Sequence, residues 1–316
     1  MDKISFVIPC YRSEKTIAIV VDDIKQTMAT RPEYLYEIIL VNDSSPDNVY
    51  DIIKELAQND SRIKGIDLAK NFGQHSALMT GYRFVTGDIV VCLDDDGQTP
   101  ANQMFLLIDK LNEGFDVVFA KYPDKKHSLG RNIGSKINDL MARALIGKPK
   151  DLSIMSYFCC RRFVVDEIIR YQNPYPYISG LLLRSTNKIA NVEVSHHDRI
   201  EGTSGYTLGK LIGLWVNGFT AFSVKPLRIA TLAGAFCAMA GFLYGIYIIL
   251  NKLVFNPDVP LGYSSLLAVT VFLGGMILLM LGLVGEYIGR IYISINNSPQ
   301  SVIRQTINIE DSHEKQ

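Results

Sequence analysis

The sequence predicts an α/β domain with a mostly parallel sheet, followed by a membrane-associated part. Up to about residue 120, short β-rich runs alternate with helical patterns, which is typical of βαβ units. Beyond residue 225, two stretches without Asp, Glu, Lys or Arg are each long enough as a helix to cross a hydrocarbon core of about 30 Å. Polar turns follow the predicted strands, at the edge where open sheets of this kind bind ligands.

Hydrophobic periodicity locates the elements of the α/β domain. Ile4–Ile8 is predicted as the first strand, and Ser13 is predicted to cap a helix with one apolar face, formed by Ile17, Val20, Val21, Ile24 and Met28. Further strands are predicted over Tyr36–Val41, Ile63–Leu68, Asp88–Leu93 and Val117–Ala120. Helices are predicted over 47–58, 74–85 and 100–112.

Residues 229–250 and 259–285 are predicted to be two membrane spans. The alternative is a pair of buried core helices, but uncharged stretches of this length are rare in soluble domains. Positive residues flank the pair on its outer sides, at Lys210, Lys225, Arg228, Arg290 and Arg304, whereas the connecting loop carries only Lys252, balanced by Asp258. By the positive-inside rule, both termini are expected on the cytoplasmic side.

The segment Thr207–Val224 has one broad apolar side, formed by Leu208, Leu211, Ile212, Leu214, Trp215, Phe219 and Phe222. We interpret it as a helix in the membrane interface with Lys210 on its polar side, and a packed core helix is the alternative. Trp215, the only tryptophan, lies next to a predicted span and favours the interface. Small residues spaced by four, at Gly241 and Gly245 and again at Gly285 and Gly289, would let helices approach closely.

Composition excludes several classes of protein. Lys and Arg together number 32, as do Asp and Glu, so the zero net charge provides no global field for attracting nucleic acid. The five cysteines show neither CxxC spacing nor an even disulfide framework, which disfavours a structural zinc site and an oxidised scaffold. No secretory signal is predicted at the start of the chain. Neither GxGxxG nor a P-loop occurs, so nucleotide binding would need other residues.

The run Asp94-Asp95-Asp96 follows the fourth predicted strand. Three adjacent carboxylates repel one another unless they are neutralised, and a hard divalent cation with oxygen ligands can bridge them to phosphate. The alternative is a solvated acidic turn that caps the helix near Pro100. Because alternate residues of an extended segment face the same way, Asp94 and Asp96 are expected to point together, with Gln98 at the spacing to join them.

Several stretches resemble one family of enzymes. They are VIPCY (7–11), VNDSSPDN (41–48), NFGQHSALMTGYRFVTGD (71–88), LDDDGQTP (93–100), RRFVVDEI (161–168) and LGLVGEYIGRIY (281–292). Together they resemble the family 2 glycosyltransferases of Rossmann-like GT-A fold, and within them the polyprenyl-phosphate glycosyltransferases. The resemblance implies a cytoplasmic GT-A domain over residues 1–206, an interfacial region over 207–228, a two-helix transmembrane domain over 229–290 and a cytoplasmic tail over 291–316.

The resemblance also implies site residues. Pro9, Tyr11 and Asp43 would hold the nucleoside, Lys70 and Gly73 would line the nucleotide site, and Arg199 would close over the donor diphosphate. Asp94, Asp96 and Gln98 would bind Mg or Mn, and Arg131 and Ser135 would bind the acceptor phosphate. Arg131 and Ser135 also lie at i,i+4 on one predicted helix face, where a solvated arginine is the alternative. The chain departs from relatives at Asp95 and Gly97, where they have Ala and Leu, and at Gly205, where they have Lys.

The implied function is the inverting, metal-dependent transfer of a sugar from a UDP-sugar, glucose-like, to undecaprenyl phosphate at a bacterial inner membrane. The resemblance also implies a homo-oligomer, a tetramer. One alternative is a processive polysaccharide synthase, which would need a QxxRW motif and more spans; Trp215 is not preceded by Gln and Arg at that spacing. The other is a non-enzymatic membrane scaffold that binds nucleotide. The identity of the sugar stays open at this point.

Overall fold

A computed structural model describes residues 2–122, 149–195, 262–296 and 298–309, together with isolated positions between 143 and 250. The chain divides into two compact units. The first contains Met1–Leu208 and Asn297–Gln316, and the second contains Gly209–Asn296. The predicted interfacial helix at 207–224 lies outside the described residues.

The first unit is built on one eight-stranded sheet. Its strands are β1 (Lys3–Cys10), β2 (Leu35–Asn42), β3 (Ile63–Leu68), β4 (Ile89–Cys92), β5 (Val117–Lys121), β6 (Phe158–Arg161), β7 (Ile189–Glu193) and β8 (Ile303–Ile307). They are ordered β7-β5-β6-β4-β1-β2-β3-β8. The central strands β1 to β4 are parallel, while β6 runs antiparallel to both of its neighbours and β8 antiparallel to β3. The carboxyl ends of β1 to β4 therefore meet at one edge of the sheet.

Helices pack on both faces of this sheet, and their bounds are α1 (Ile17–Ala29), α2 (Val49–Asn59), α3 (Gln74–Tyr82), a 3₁₀ turn (Ala101–Gln103), α4 (Met104–Asn112), α5 (Arg162–Ile168) and α6 (Ile178–Ser185). The apolar faces of α1, α2 and α4 join the main core with Ile4, Phe6 and Ile8 of β1. On the other face, α3 approaches so closely that a Cβ on Gly81 would lie 2.5 Å from Val7. Because both faces are covered, the strands are almost continuously apolar.

The five strands and four helices predicted up to residue 121 are present, with bounds shifted by at most a few residues. The helix-cap prediction at Ser13 was wrong, since Thr16 occupies the N-cap of α1 and makes no side-chain capping bond. Instead the Ser13 carbonyl accepts hydrogen bonds from the backbone N–H groups of Thr16 and Ile17, at 3.1 and 3.0 Å. The apolar side of the helix is as predicted, because burial depends on its periodicity and not on its cap.

The sequence predicts no strand after residue 120. The structure places β6 between β4 and β5, and β8 at the far edge beside β3. Residues 303–307, which the sequence analysis treated as a tail, pair with β3 from Gly65 to Leu68. The first unit is therefore discontinuous in the chain, since its edge strand follows the whole second unit.

In the second unit, the longest described element is α7 (Tyr263–Ile295). Its stretch Phe272–Gly289 is long and apolar enough to cross a membrane, with a mean hydropathy of 1.8, and it is the only helix of this kind among the described residues. The described positions between Thr231 and Leu250 are helical. Arg290 belongs to α7 itself.

Candidate active site

A cavity of about 520 Å³ lies where the carboxyl ends of the central strands meet. It is lined by Pro9, Cys10, Tyr11, Asp43, Asn71, Gly73, Gln74, Asp94, Asp95, Asp96 and Ser156. The structure thus brings together six residues that the sequence analysis chose for the site, and they are Pro9, Tyr11, Asp43, Gly73, Asp94 and Asp96. They come from the ends of four strands. The first and last of them, Pro9 and Asp96, are 87 positions apart in the sequence.

Asp43 organises the loop that follows β3. Its two carboxylate oxygens accept hydrogen bonds from the backbone N–H groups of Phe72 and Gly73, at 2.7 and 2.8 Å. Burial raises the pKa of Asp43, and these two hydrogen bonds oppose that shift. Each oxygen keeps a further acceptor position, so the carboxylate can hold the loop and still accept from a ligand.

Gly73 gives this loop its shape. Its φ of 88° lies in the region that favours glycine, and a Cβ added there would meet no atom within 4 Å. The requirement for glycine is therefore conformational and not a matter of crowding. Lys70, also chosen from the sequence, is not among the lining residues: its ammonium group lies 4.9 Å from the centre of the Phe72 ring.

The loop after β1 is tied to the loop after β2. Arg12 adopts a φ of 58°, and its backbone N–H donates to the Ser45 hydroxyl at 2.7 Å. That hydroxyl donates in turn to Asp47 at 2.6 Å. The Arg12 guanidinium lies 5.5 Å from the centre of the Tyr11 ring, whose side chain is 42% exposed. Tyr11 therefore presents an accessible aromatic face at the cavity, suited to stacking on a base.

The flanking aspartates of the acidic run make separate contacts. Asp94 accepts hydrogen bonds from the Gln74 amide, at 3.0 Å, and from the Ser156 hydroxyl. Asp96 accepts one from the backbone N–H of Gln98, at 3.0 Å. Gln98 is not among the cavity-lining residues.

The helix-cap alternative for the acidic run was wrong. Pro100 and Gln103 occupy the N-caps of the 3₁₀ turn and of α4, and neither of these described helices has a side-chain capping bond. The backbone N–H of Ala101 donates instead to Asp23 of α1, at 3.0 Å. The acidic run therefore caps neither the 3₁₀ turn nor α4, and it lies on the cavity wall.

Asp95 has different hydrogen-bond partners from the other two aspartates. Its carboxylate accepts a hydrogen bond from the backbone N–H of Tyr11 at 2.9 Å, and its carbonyl accepts one from the Thr16 hydroxyl at 2.6 Å. Burial raises the pKa of Asp95 to about 6; the Tyr11 N–H and Ser13 oppose this rise, and the charges of Asp94 and Asp96 add to it. Asp95 therefore links the end of β4 to the end of β1.

The carboxylates of Asp94 and Asp96 fit a divalent cation whose other coordination positions are taken by water and substrate. In the part of the chain that the structure describes, no three His, Cys, Asp or Glu side chains converge as a ready-made metal cage. Two carboxylates, Asp94 and Asp96, face one cavity, and burial together with their negative charge raises the pKa of Tyr122 to about 12. Mg²⁺ typically binds through one or two carboxylates together with water and substrate phosphates, which matches this arrangement.

Three further residues chosen from the sequence lie outside the described residues. They are Arg131 and Ser135, expected to bind the acceptor phosphate, and Arg199, expected to close over the donor diphosphate. Gly205 also lies outside the described residues. Sequence reasoning missed Asn71, Gln74 and Ser156 as lining residues. Gln74 had a signal, since it directly follows Gly73 in a stretch already singled out. Ser156 had none, because it precedes β6, a strand that the pattern did not predict.

Comparison with known proteins decides the family. Residues 5–169 match the family model for glycosyl transferase family 2. The chain belongs to glycosyltransferase family 2. Residues 225–291 of this glycosyltransferase match a second model, the GtrB C-terminal hairpin. The resemblance drawn from the sequence is thereby confirmed, and the protein is an enzyme.

Curated relatives resemble this glycosyltransferase over nearly its whole length. The uncharacterized glycosyltransferase YkcC of Bacillus subtilis is 33% identical over 311 residues, which is 97% of this chain and 95% of the relative. The undecaprenyl-phosphate 4-deoxy-4-formamido-L-arabinose transferase of Yersinia enterocolitica is 32% identical over 322 residues, which is 99% of this chain and 96% of the relative.

A solved structure resembles the fold of this glycosyltransferase. The crystal structure of a mycobacterial protein superposes with a TM-score of 0.50 at 20% identity, over 66% of this chain and 70% of the other. The mixed sheet with helices on both faces is GT-A-like, which confirms the predicted α/β class of the domain.

Proposed function

We propose that this glycosyltransferase moves a sugar from a UDP-sugar, glucose-like, to undecaprenyl phosphate, with inversion at the anomeric carbon. One observation carries the proposal: two carboxylates suited to a metal, Asp94 and Asp96, share a cavity with the loop that Asp43 holds and with the accessible Tyr11 ring. A nucleoside on the Tyr11 and Asp43 side would place its diphosphate towards the acidic run.

The acceptor class is supported by the relatives. The Yersinia enterocolitica relative, aligned over 99% of this chain, is named for transfer to undecaprenyl phosphate. Its sugar is not carried over, because this chain departs from the family pattern at Asp95, Gly97 and Gly205. The product would be an undecaprenyl-monophosphate-linked sugar for cell-envelope glycan modification.

Asp94, Asp96 and Gln98 would hold Mg or Mn. When bound, the cation would neutralise the charge that develops on the leaving diphosphate. Gln74 and Ser156 hold the Asp94 carboxylate in place through their hydrogen bonds, so this ligand would need little reorganisation on binding.

The reaction needs positioning more than it needs a base. An oxygen of the acceptor phosphate attacks the anomeric carbon, the bond from that carbon to the diphosphate oxygen breaks, and UDP leaves with the electron pair. The second pKa of a phosphomonoester is about 6, so the nucleophile is largely ionised at neutral pH and no proton has to be removed. Arg131 and Ser135 would orient this phosphate, and Arg199 would stabilise the leaving diphosphate.

A membrane setting follows from the lipid acceptor. The stretch Phe272–Gly289 of α7 supports one span, and the uncharged residues 229–250 support a second. We therefore place the protein as a multi-pass protein in a bacterial inner membrane, with the catalytic domain (1–206) and both termini cytoplasmic. The interfacial region would cover 207–228 and the two spans 229–290. Residues 291–316 would be cytoplasmic, but they are not a separate tail, since α7 continues to Ile295 and 303–307 form β8 of the first unit. The assembly would be a homo-oligomer, a tetramer.

The test is to incubate membranes that contain the full chain with a panel of UDP-sugars, undecaprenyl phosphate and Mg²⁺ or Mn²⁺, and to read lipid masses. We expect one sugar to add a single residue to the lipid, with release of UDP that EDTA abolishes. Long polymer would indicate a processive synthase instead. Binding of UDP without metal-dependent release would indicate a non-enzymatic scaffold.

A further inference from the structure

The residues that follow α7 are joined to the catalytic unit by side-chain contacts. We call Ser298–Asn308 the C-terminal segment. Gln300 is 4% exposed, and its amide donates to the backbone carbonyls of Tyr171 and Asn173 at 3.1 and 3.0 Å, while its oxygen accepts from Arg83 at 3.1 Å. These contacts fix the start of the C-terminal segment before it forms β8.

Arg304 of this segment holds the end of β3. Its guanidinium contacts the Asp67 carboxylate at 3.1 Å and donates to the Ala69 carbonyl at 2.9 Å. The backbone N–H of Ala69 donates to the Val302 carbonyl at 2.8 Å. Both backbone groups of Ala69 are therefore bound by the C-terminal segment, directly before the loop from Lys70 to Gly73.

The carboxylate of Asp67, which is 2% exposed, connects Arg304 to the end of β2. Its other oxygen accepts from the Asn42 amide at 2.7 Å, and the Asn42 oxygen accepts from the backbone N–H of Ser45 at 3.1 Å. Asn42 directly precedes Asp43, and Ser45 accepts from the backbone N–H of Arg12. The ion pair between Arg304 and Asp67 is thus connected by hydrogen bonds to the loops that follow β1, β2 and β3.

We propose that Arg304 is a positioning residue for the nucleotide donor. It holds the β3 loop through Ala69 and the β2 loop through Asp67 and Asn42, so it sets the geometry in which Asp43 and Gly73 meet the ligand. This inference rests on the proposed function, since it assumes that a nucleoside diphosphate binds beside Asp43. The C-terminal segment, which follows α7, thereby takes part in donor binding.

A purely structural account would give Arg304 a different role. In that account β8 only covers the open edge of β3, and the ion pair only neutralises a buried carboxylate. The two accounts differ in one measurable way. A structural residue changes thermal stability, whereas a positioning residue also changes the affinity for the nucleotide.

The test compares full-length variants in detergent by Tm, by UDP titration, and by donor KM and kcat. Arg304→Ala should raise the UDP Kd and the donor KM on the order of tenfold, with kcat nearly unchanged, because displaced loops weaken binding. Arg304→Lys should recover part of this loss, since an ammonium group still reaches one partner. The matched control is Asn308→Ala, at the other end of β8, where the side chain bonds the carbonyls of Ala57 and Ile63; its Tm should fall while its KM stays at the wild-type value.

A double variant separates stability from positioning if Arg304→Ala folds poorly. Arg304→Leu combined with Asp67→Asn removes the unpaired buried charge but cannot restore the bond to Ala69. Recovery of Tm with a raised KM supports the inference. An unchanged KM in Arg304→Ala, or recovery of both Tm and KM in the double variant, overturns it. Failure of the wild-type protein itself to bind UDP would overturn the proposed function as well, and so is distinguished from failure of the Arg304 role alone.

Discussion

The carboxylate of Asp95 accepts a hydrogen bond from the backbone N–H of Tyr11, with 2.9 Å between the oxygen and the nitrogen. This contact joins the acidic run after β4 to the loop after β1, across 84 positions of the chain. The middle aspartate thus connects the loop after β1 to the end of β4, while its neighbours Asp94 and Asp96 line the cavity.

A first prediction concerns Asp95 itself. Asp95→Asn keeps an oxygen that accepts from Tyr11, so its donor KM should stay near the wild-type value. Asp95→Ala leaves that N–H without its partner, so its donor KM should rise about two- to tenfold, corresponding to about 0.5–1.5 kcal/mol for one hydrogen bond. Steady-state kinetics with varied UDP-sugar checks this. Equal loss in both variants would mean that the charge, and not the hydrogen bond, matters.

A second prediction concerns the proposed metal ligand Asp96. Asp96→Asn should lower sugar transfer by at least on the order of a hundredfold, because a neutral amide binds Mg²⁺ or Mn²⁺ poorly. Its Tm should not fall, since the substitution removes like-charge repulsion. The exposed Asp109 on α4 supplies the control variant Asp109→Asn, which should transfer sugar normally. Wild-type turnover by Asp96→Asn would remove Asp96 from the metal site.

A third prediction concerns Ser156, whose hydroxyl donates to Asp94. Ser156→Ala removes one of the hydrogen bonds that hold this carboxylate, so the metal concentration for half-maximal transfer should rise roughly tenfold. At saturating metal, the rate should approach the wild-type value. Ser185→Ala is the control, since the Ser185 hydroxyl bonds a carbonyl of its own helix, at Leu181. The same metal dependence in all three proteins would leave Ser156 without a role at the site.

A fourth prediction uses two glycines of positive φ. Gly73→Ala should cost about 1–3 kcal/mol of stability through backbone strain, because a φ of 88° with a ψ of 156° suits glycine. It should also raise the donor KM, because the strain displaces the backbone N–H group that donates to Asp43. Gly114→Ala is the matched control. Gly114 has a φ of 103°, and a Cβ there likewise meets no atom within 4 Å, but it follows α4 and is not among the cavity-lining residues. Its Tm should fall by a similar amount with no change in KM, and a shared effect on KM would contradict a local role for Gly73.

A fifth prediction concerns pH and the buried Glu37. Burial would raise its pKa, but hydrogen bonds from Ser5, Lys64, Lys3 and the Thr86 N–H outweigh this and lower the pKa from 4.5 to about 2. Since the folded-state pKa is the lower one, the stabilisation is fully present above pH 4.5 and is lost as the pH falls towards about 2.

Glu37→Gln should therefore lower Tm at neutral pH, by the equivalent of about 1–3 kcal/mol for disrupted buried hydrogen bonds. The difference in Tm between Glu37→Gln and the wild type should shrink as the pH falls below 4.5. Glu113→Gln is the control, because Glu113 forms an exposed pair with Lys110 and should change Tm little. A constant Tm difference between wild type and Glu37→Gln over this range would contradict the low pKa.

Part of the site was predictable because it follows strand ends. Asp43 and Asp94 each come directly after an apolar strand whose length the pattern shows, and parallel strands bring such ends to one edge of the sheet. Ser156 and Arg304 were not predictable in this way. Their neighbours, Asp94 and Asp67, lie 62 and 237 positions away, and strands β6 and β8 that carry the chain there are only four and five residues long.

Local periodicity by itself determined that β1 to β5 alternate with helices, that the acidic run ends an apolar strand, and that an uncharged stretch follows near the end of the chain. These features depend on residues within one turn or one strand of each other, so they can be predicted from local patterns in the sequence. Only the tertiary structure decided that Asp95 holds Tyr11, that no aspartate of the run caps the 3₁₀ turn or α4, and that Arg304 reaches Asp67. Each of these is a choice among partners of similar chemistry, and the choice is made by packing across the sheet.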